Sequence, residues 1–203
     1  APAQVRHGAT DCAARLLCAE LGAPNDGDGD GASAASADCD APLLAELLAR
    51  STLTGAPEES TSALGVLAAA AAALHARGGA RAAARLAARA APPLLGCSSP
   101  LTADALFALA FHAQPLVPAH LMHQLLQRGL ADAESRGGAN VLSALKLLGL
   151  ALSCGGEAEV WGPTPEDLLR RVVRVLRSLA NVDPSREVRQ LAEQLLEASG
   201  LQG

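Results

Sequence analysis

Arg77, Arg81, Arg85 and Arg89 recur at every fourth position with no acidic residue among them. Residues four apart share a face of an α-helix. A helix over Ala80–Ala91 therefore places Arg81, Arg85 and Arg89 on one stripe, with Arg77 just before it across Gly78-Gly79. A row of guanidinium groups is suited to phosphate or carboxylate oxygens. Its chemistry is recognition of an anionic polymer or an acidic partner, and a solvated helix face accounts for the same pattern equally well. Arg170, Arg174 and Arg177 form a second row, but Glu166 and Asp167 lie one turn away, which favours a self-neutralised surface there. Of the 16 basic residues only Lys146 is a lysine.

Other reactive side chains are scattered. The five cysteines, Cys12, Cys18, Cys39, Cys97 and Cys154, are odd in number and contain no C-x-x-C. That argues against a disulfide framework and a structural zinc site, and favours small apolar thiols in a reducing compartment. His120 and His123 can share a helix face but have no acidic or thiol partner at a useful spacing. Asp26, Asp28 and Asp30 open like a calcium loop, with Gly31 at the sixth position. Ala37 stands where such a loop needs its glutamate, and Ser33 where it needs an apolar residue. Neither a Gly-rich phosphate loop nor G-x-S-x-G or H-E-x-x-H occurs. The expectation is a protein without catalytic residues, metal or cofactor.

The elements that carry these residues follow from composition. Half of the 203 residues are hydrophobic, yet aromatics make up 1%, with no Tyr, two Phe and one Trp. The apolar mass is Ala, Leu and Val. Ala and Leu are strong helix formers, whereas strands prefer β-branched and aromatic side chains. An all-α fold is what remains. Charged residues are 18%, below the roughly 25% of an average soluble protein, so a partner is expected to cover part of the surface. The most apolar run, Thr61–Ala73, is too short to span a membrane. A start at Ala1 fits a cleaved targeting peptide.

Helical period and breakers divide the chain. A helix is expected over Asp11–Leu21, followed by a loose acidic stretch from Asn25 to Asp40, so that residues 1–40 stand apart from a helical array over 41–203. Further helices are expected to follow Pro42, to run over Glu58–Ala76 up to a break at Gly78-Gly79, and to run from Ala80 until Pro92-Pro93 stops it. Others are expected over Thr102–Ala113, from Pro118 to about Gly129, over Ala139–Leu152, from Pro165, and after Pro184. Leu64, Leu106 and Leu142 occupy matching places in S-A-L-G-V-L-A, D-A-L-F-A-L-A and N-V-L-S-A-L-K. Each follows a leucine of the preceding helix, Leu43, Leu86 or Leu121, by 20 or 21 residues. Helix pairs at such an interval predict an α-solenoid of stacked antiparallel pairs, each burying its face on its neighbours.

The segment Pro118–Gly149 resembles the octotricopeptide-type repeat of algal organelle proteins, a relative of the FAST-kinase-like repeats. Ala139, Asn140, Leu142, Ala144, Leu145, Leu148 and Gly149 carry the likeness. The preceding unit keeps Ala103, Leu106, Ala108 and Leu109, with Asp104 in place of Asn and Ala113 in place of Gly. The last pair, from Leu168 onward, is similar to a HEAT repeat, with Asp183 at the turn and Val188, Arg189, Ala192 and Leu195 at the packing places. The first resemblance implies an RNA-binding protein of mitochondria or chloroplasts, or a fixed part of an organellar ribosome. The second implies a protein-binding scaffold.

Charge distribution bears on the choice. Residues 1–60 carry 10 acidic and 3 basic side chains, whereas residues 61–136 carry 3 acidic and 6 basic, within a net charge of −5. The expected function is a structural RNA-binding component of an organellar ribonucleoprotein, with the mitochondrial ribosome as the assembly. Its arginines at 77, 81, 85, 89, 170, 174 and 177 would brace the rRNA backbone beside neighbouring proteins. The rival is a HEAT-like or armadillo-like protein scaffold, and a chloroplast or cytoplasmic location the alternative to the mitochondrion. With so few rings, base stacking is expected to be marginal.

Overall fold

The computed structural model describes residues 57–97, 100–135, 141–154 and 165–199. The expected helix over Asp11–Leu21, the acidic stretch with Asp26, Asp28 and Asp30, and the helix after Pro42 lie outside these residues. Everything described is helical, turn or irregular, with no strand among the described residues. The chain is all-α, built from neighbouring helices packed on one another. It divides into two compact units, one up to Val117 and one from Pro118.

The first unit holds α1 (Pro57–Leu95) and α2 (Pro100–Ala113), packed together. Gly79 splits α1 into two arms, with φ 69° and ψ −168°. An L side chain rarely adopts that conformation, so glycine is what lets the run turn there. Both arms bury one stripe of small and leucine residues: Leu64, Leu67, Ala70, Ala71 and Leu74 on the first, Ala83, Leu86, Ala87, Ala90 and Leu94 on the second. Contrary to the sequence expectation, Pro92 and Pro93 do not stop the second arm, which continues to Leu95. Both prolines fall in its final turn, and the fully buried Leu94 anchors that turn in the core. Thr102, buried near the start of α2, donates its hydroxyl to the Cys97 carbonyl across the connection at 3.3 Å. No buried side-chain polar atom among the described residues lacks a partner.

The second unit holds α3 (Ala119–Glu134), α4 (Val141–Ser153), α5 (Pro165–Val182) and α6 (Arg186–Ala198). Helix α3 pairs with α4 and α5 with α6. The pairs then stack, first helix on first and second on second, as a solenoid step requires. Gly129 was expected to end α3, but the helix runs on to Glu134. A Cβ at Gly129 would come within 3.1 Å of the Ala144 carbonyl oxygen, 3.2 Å of Leu147 Cβ and 3.3 Å of Leu148 Cγ. Glycine here is a contact point, and the favourable packing of α4 outweighs its poor helix propensity. Gly149 does the same between pairs, since a Cβ there would lie 2.8 Å from Leu195 Cδ2 of α6.

The turn into α6 is closed by polar groups. Ser185 caps the helix by accepting from the Val188 N–H at 3.4 Å, and Asp183 Oδ1 accepts from the Ser185 N–H at 2.8 Å. The half-buried Arg189 donates to the Asp183 and Pro184 carbonyls. Of the three matching leucines, Leu64 and Leu106 are buried whereas Leu142 is only half-buried. Helix α4 is covered from both sides, by α3 and by α6, so its buried face is broader and takes in Ser143, Ala144, Leu147 and Leu150.

Helical glycines at crowded and open positions should respond oppositely to a methyl group. Gly65 is exposed, and a Cβ added to it would have no atom within 4 Å, so Gly65→Ala should stabilise the chain by about 0.5–1 kcal/mol. Gly129→Ala should destabilise it, because backbone lies in the way, by about 1–3 kcal/mol. Urea denaturation of the two variants beside the parent checks both signs.

Candidate nucleic-acid interface

Of the seven arginines singled out by spacing, Arg81, Arg85 and Arg89 lie exposed along the second arm of α1. They cover about 12 Å at the helical rise of 1.5 Å per residue. None of them forms an ion pair with another described residue in the structure. From Ser60 to Ala103 there is no acidic residue at all, so no i,i+3 or i,i+4 partner exists for them on their own arm. Asp104 is the first acid after Glu59, and it stands exposed on α2. Arg77 falls in the helical run, but it lies outside the residues whose side chains the structure describes.

The second row behaves differently. Arg170 pairs with Glu166 at 3.1 Å and with Asp167 at 3.4 Å, the i,i+4 and i,i+3 partners on its own helix. Arg174 and Arg177 are exposed on the same face, and the Arg177 carbonyl accepts from Asn181 Nδ2 at 2.9 Å. The residue that spacing missed is Arg171. It makes a two-point bond to Glu134 at the end of α3, with Arg171 Nε donating to Glu134 Oε1 at 2.7 Å and the terminal nitrogen to Oε2. The Arg171 hydrogen bond, followed by the charges of Arg171 and Arg174, holds the Glu134 carboxyl below the usual range. Acid and base stand 37 residues apart, so no local pattern in the sequence announces this bond.

The two rows thus present different net charge. On α5 the guanidinium groups are partly committed to carboxylates of the same unit. On α1 they face solvent as three like charges. Exposed pairs such as Arg170–Glu166 contribute little to stability, of the order of 0–1 kcal/mol. They do lower the local positive potential that an incoming anion would meet.

Two histidines also meet in the first unit. His75 Nδ1 lies 2.8 Å from the His112 carbonyl oxygen, the geometry of a ring N–H donating to it, and the ring centroids are 5.6 Å apart. Burial, then the neighbouring His75, pushes the His112 pKa below its ordinary value. His123, by contrast, shares a hydrogen bond with Gln127 at 2.9 Å, the amide donating to the ring, and His120 is exposed. Among the described residues no group of three or more His, Cys, Asp and Glu side chains is placed to hold a metal ion. Cys97 and Cys154 are half-buried and carry thiols rather than a disulfide. No helix among the described residues is long and apolar enough to cross a membrane. No family model, curated protein or solved structure matches the chain.

The depressed His112 gives stability a pH slope of known sign. With its folded value below the unfolded 6.5, the unfolded chain binds more protons as pH falls. The contribution is fully present above pH 6.5 and is lost as pH drops through that value toward the folded one. Denaturant melts at about pH 7.5 and about pH 5.5 should show the parent losing more stability than His112→Asn over that interval.

Proposed function

We propose that the chain is a non-enzymatic helical-repeat protein that holds RNA backbone, as a structural component of an organellar ribonucleoprotein such as the mitochondrial ribosome. The observation that carries this reading is the stripe of Arg81, Arg85 and Arg89, exposed on the acid-free second arm of α1 and engaged in no ion pair with a described residue. Three aligned guanidinium groups without carboxylates suit a chain of phosphates, which gives affinity without reading sequence. The Arg170, Arg174 and Arg177 row adds to it more weakly, because Glu166 and Asp167 already engage Arg170.

The organellar part rests on the likeness of Pro118–Gly149 to octotricopeptide-type repeats. Stacked helix pairs are compatible with it, since each pair exposes an outer face to a neighbour or to RNA. One feature favours a second reading, a HEAT-like protein scaffold. The C-terminal pair has its turn tied by Arg189 to the Asp183 and Pro184 carbonyls, and its last helix exposes Glu193, Gln194 and Glu197.

Phosphate binding has a salt signature that protein docking through apolar surface lacks. If each arginine of the stripe meets one phosphate of a single strand, log K should fall with log salt at a slope of about −2. Changing Arg81, Arg85 and Arg89 together to alanine should flatten that slope and weaken binding, and the same change at 170, 174 and 177 should have the smaller effect. Fluorescence anisotropy with labelled RNA between about 50 and 200 mM salt measures both. Absent binding, or binding indifferent to salt, sinks the reading.

A further inference from the structure

Both phenylalanines of the chain lie on α2, one helical turn apart. Their rings stack with centroids 5.5 Å apart and planes 23° from parallel. Phe107 is half-buried, whereas Phe111 is 50% exposed, and the His112 ring meets it edge-on at 5.3 Å. A single exposed apolar residue is ordinary, so exposure alone carries nothing. The neighbourhood of the ring does.

The His75–His112 contact brings the C-terminal end of α2 to the end of the unit where α1 turns at Gly79. Arg81, exposed and without an ion pair to a described residue, stands two residues beyond that turn. An open phenyl ring and two imidazoles therefore meet at the end of α2, and Arg81 opens the arm that follows the Gly79 turn. A leucine or valine would serve equally to bury an apolar partner. A flat ring, backed by a second ring and accompanied by a cation, fits the two halves of a nucleotide: a base with a π face and a phosphate with charge.

We infer that Phe111, held in place by Phe107, is a stacking platform for a base of single-stranded RNA whose phosphate is taken by Arg81. This rests on the RNA reading above and deepens it, because a paired base in a duplex offers no open face to the ring.

The full chain is titrated against a labelled single-stranded oligonucleotide of about 10 nucleotides and an abasic ribose-phosphate oligomer of the same length. The base-bearing strand should bind about 5- to 100-fold more tightly than the abasic one. Phe111→Leu, which keeps the surface apolar, should abolish that preference while leaving the salt slope unchanged, and Phe111→Trp should keep it. Arg81→Ala should weaken both oligomers. Equal affinity for the two oligomers with an intact salt slope overturns the platform and leaves backbone binding standing. A base preference that survives Phe111→Leu also overturns it. Loss of all RNA binding, with self-association or a protein partner that Phe111→Asp abolishes, overturns both and makes the ring a protein-docking surface.

Discussion

Close approach between helices is the constraint on which the rest of this structure depends. With Ala, Leu and Gly as the packing residues, each helix must come near its neighbour to leave no void, because no large ring fills the gap. Gly129 against Ala144, Leu147 and Leu148 is the tightest expression of this within a pair. Gly149 against Leu195 is its counterpart between pairs. A solenoid step suits such a composition, since each layer needs only one thin interface on either side.

That packing also arranges the charge. Small and leucine residues take the inner stripes of α1, so its polar residues are left to the outward face. On its second arm the outward residues include three arginines, and no acid stands within the arm to meet them. On α5 the same outward arginines stand beside Glu166 and Asp167, and a fourth, Arg171, is drawn to Glu134 of the adjoining pair. Similar spacing therefore yields two surfaces of different potential. The difference arises from the acids nearby rather than from the arginines themselves.

Much of the helix inventory was legible. Leu-rich stripes at helical spacing located all six described helices, α1 to α6, and Gly79 marked the turn within α1. Where expectation and structure part, a breaker was overruled by packing. Pro92 and Pro93 sit in a last turn held by Leu94, and Gly129 sits where a neighbouring helix crosses. Propensity is worth about 1 kcal/mol for a glycine, which a buried helix interface readily exceeds. Leu142 shows the reverse limit, a residue in phase with its repeat yet half-buried, because the phase of a repeat does not say how many neighbours cover a helix.

By itself the sequence determined the all-α class, the helical pairing and the acid-free arginine row, since each follows from residue type and spacing along one helix. Tertiary structure alone decided the Glu134–Arg171 bond, the His75–His112 contact and the outward setting of Phe111. The first two join residues 37 apart in the chain, and the third depends on which side of α2 its neighbours cover. In a helix as uniformly apolar as α2, the sequence contains no polar stripe to indicate the outer face. Only the packed neighbour supplies that direction.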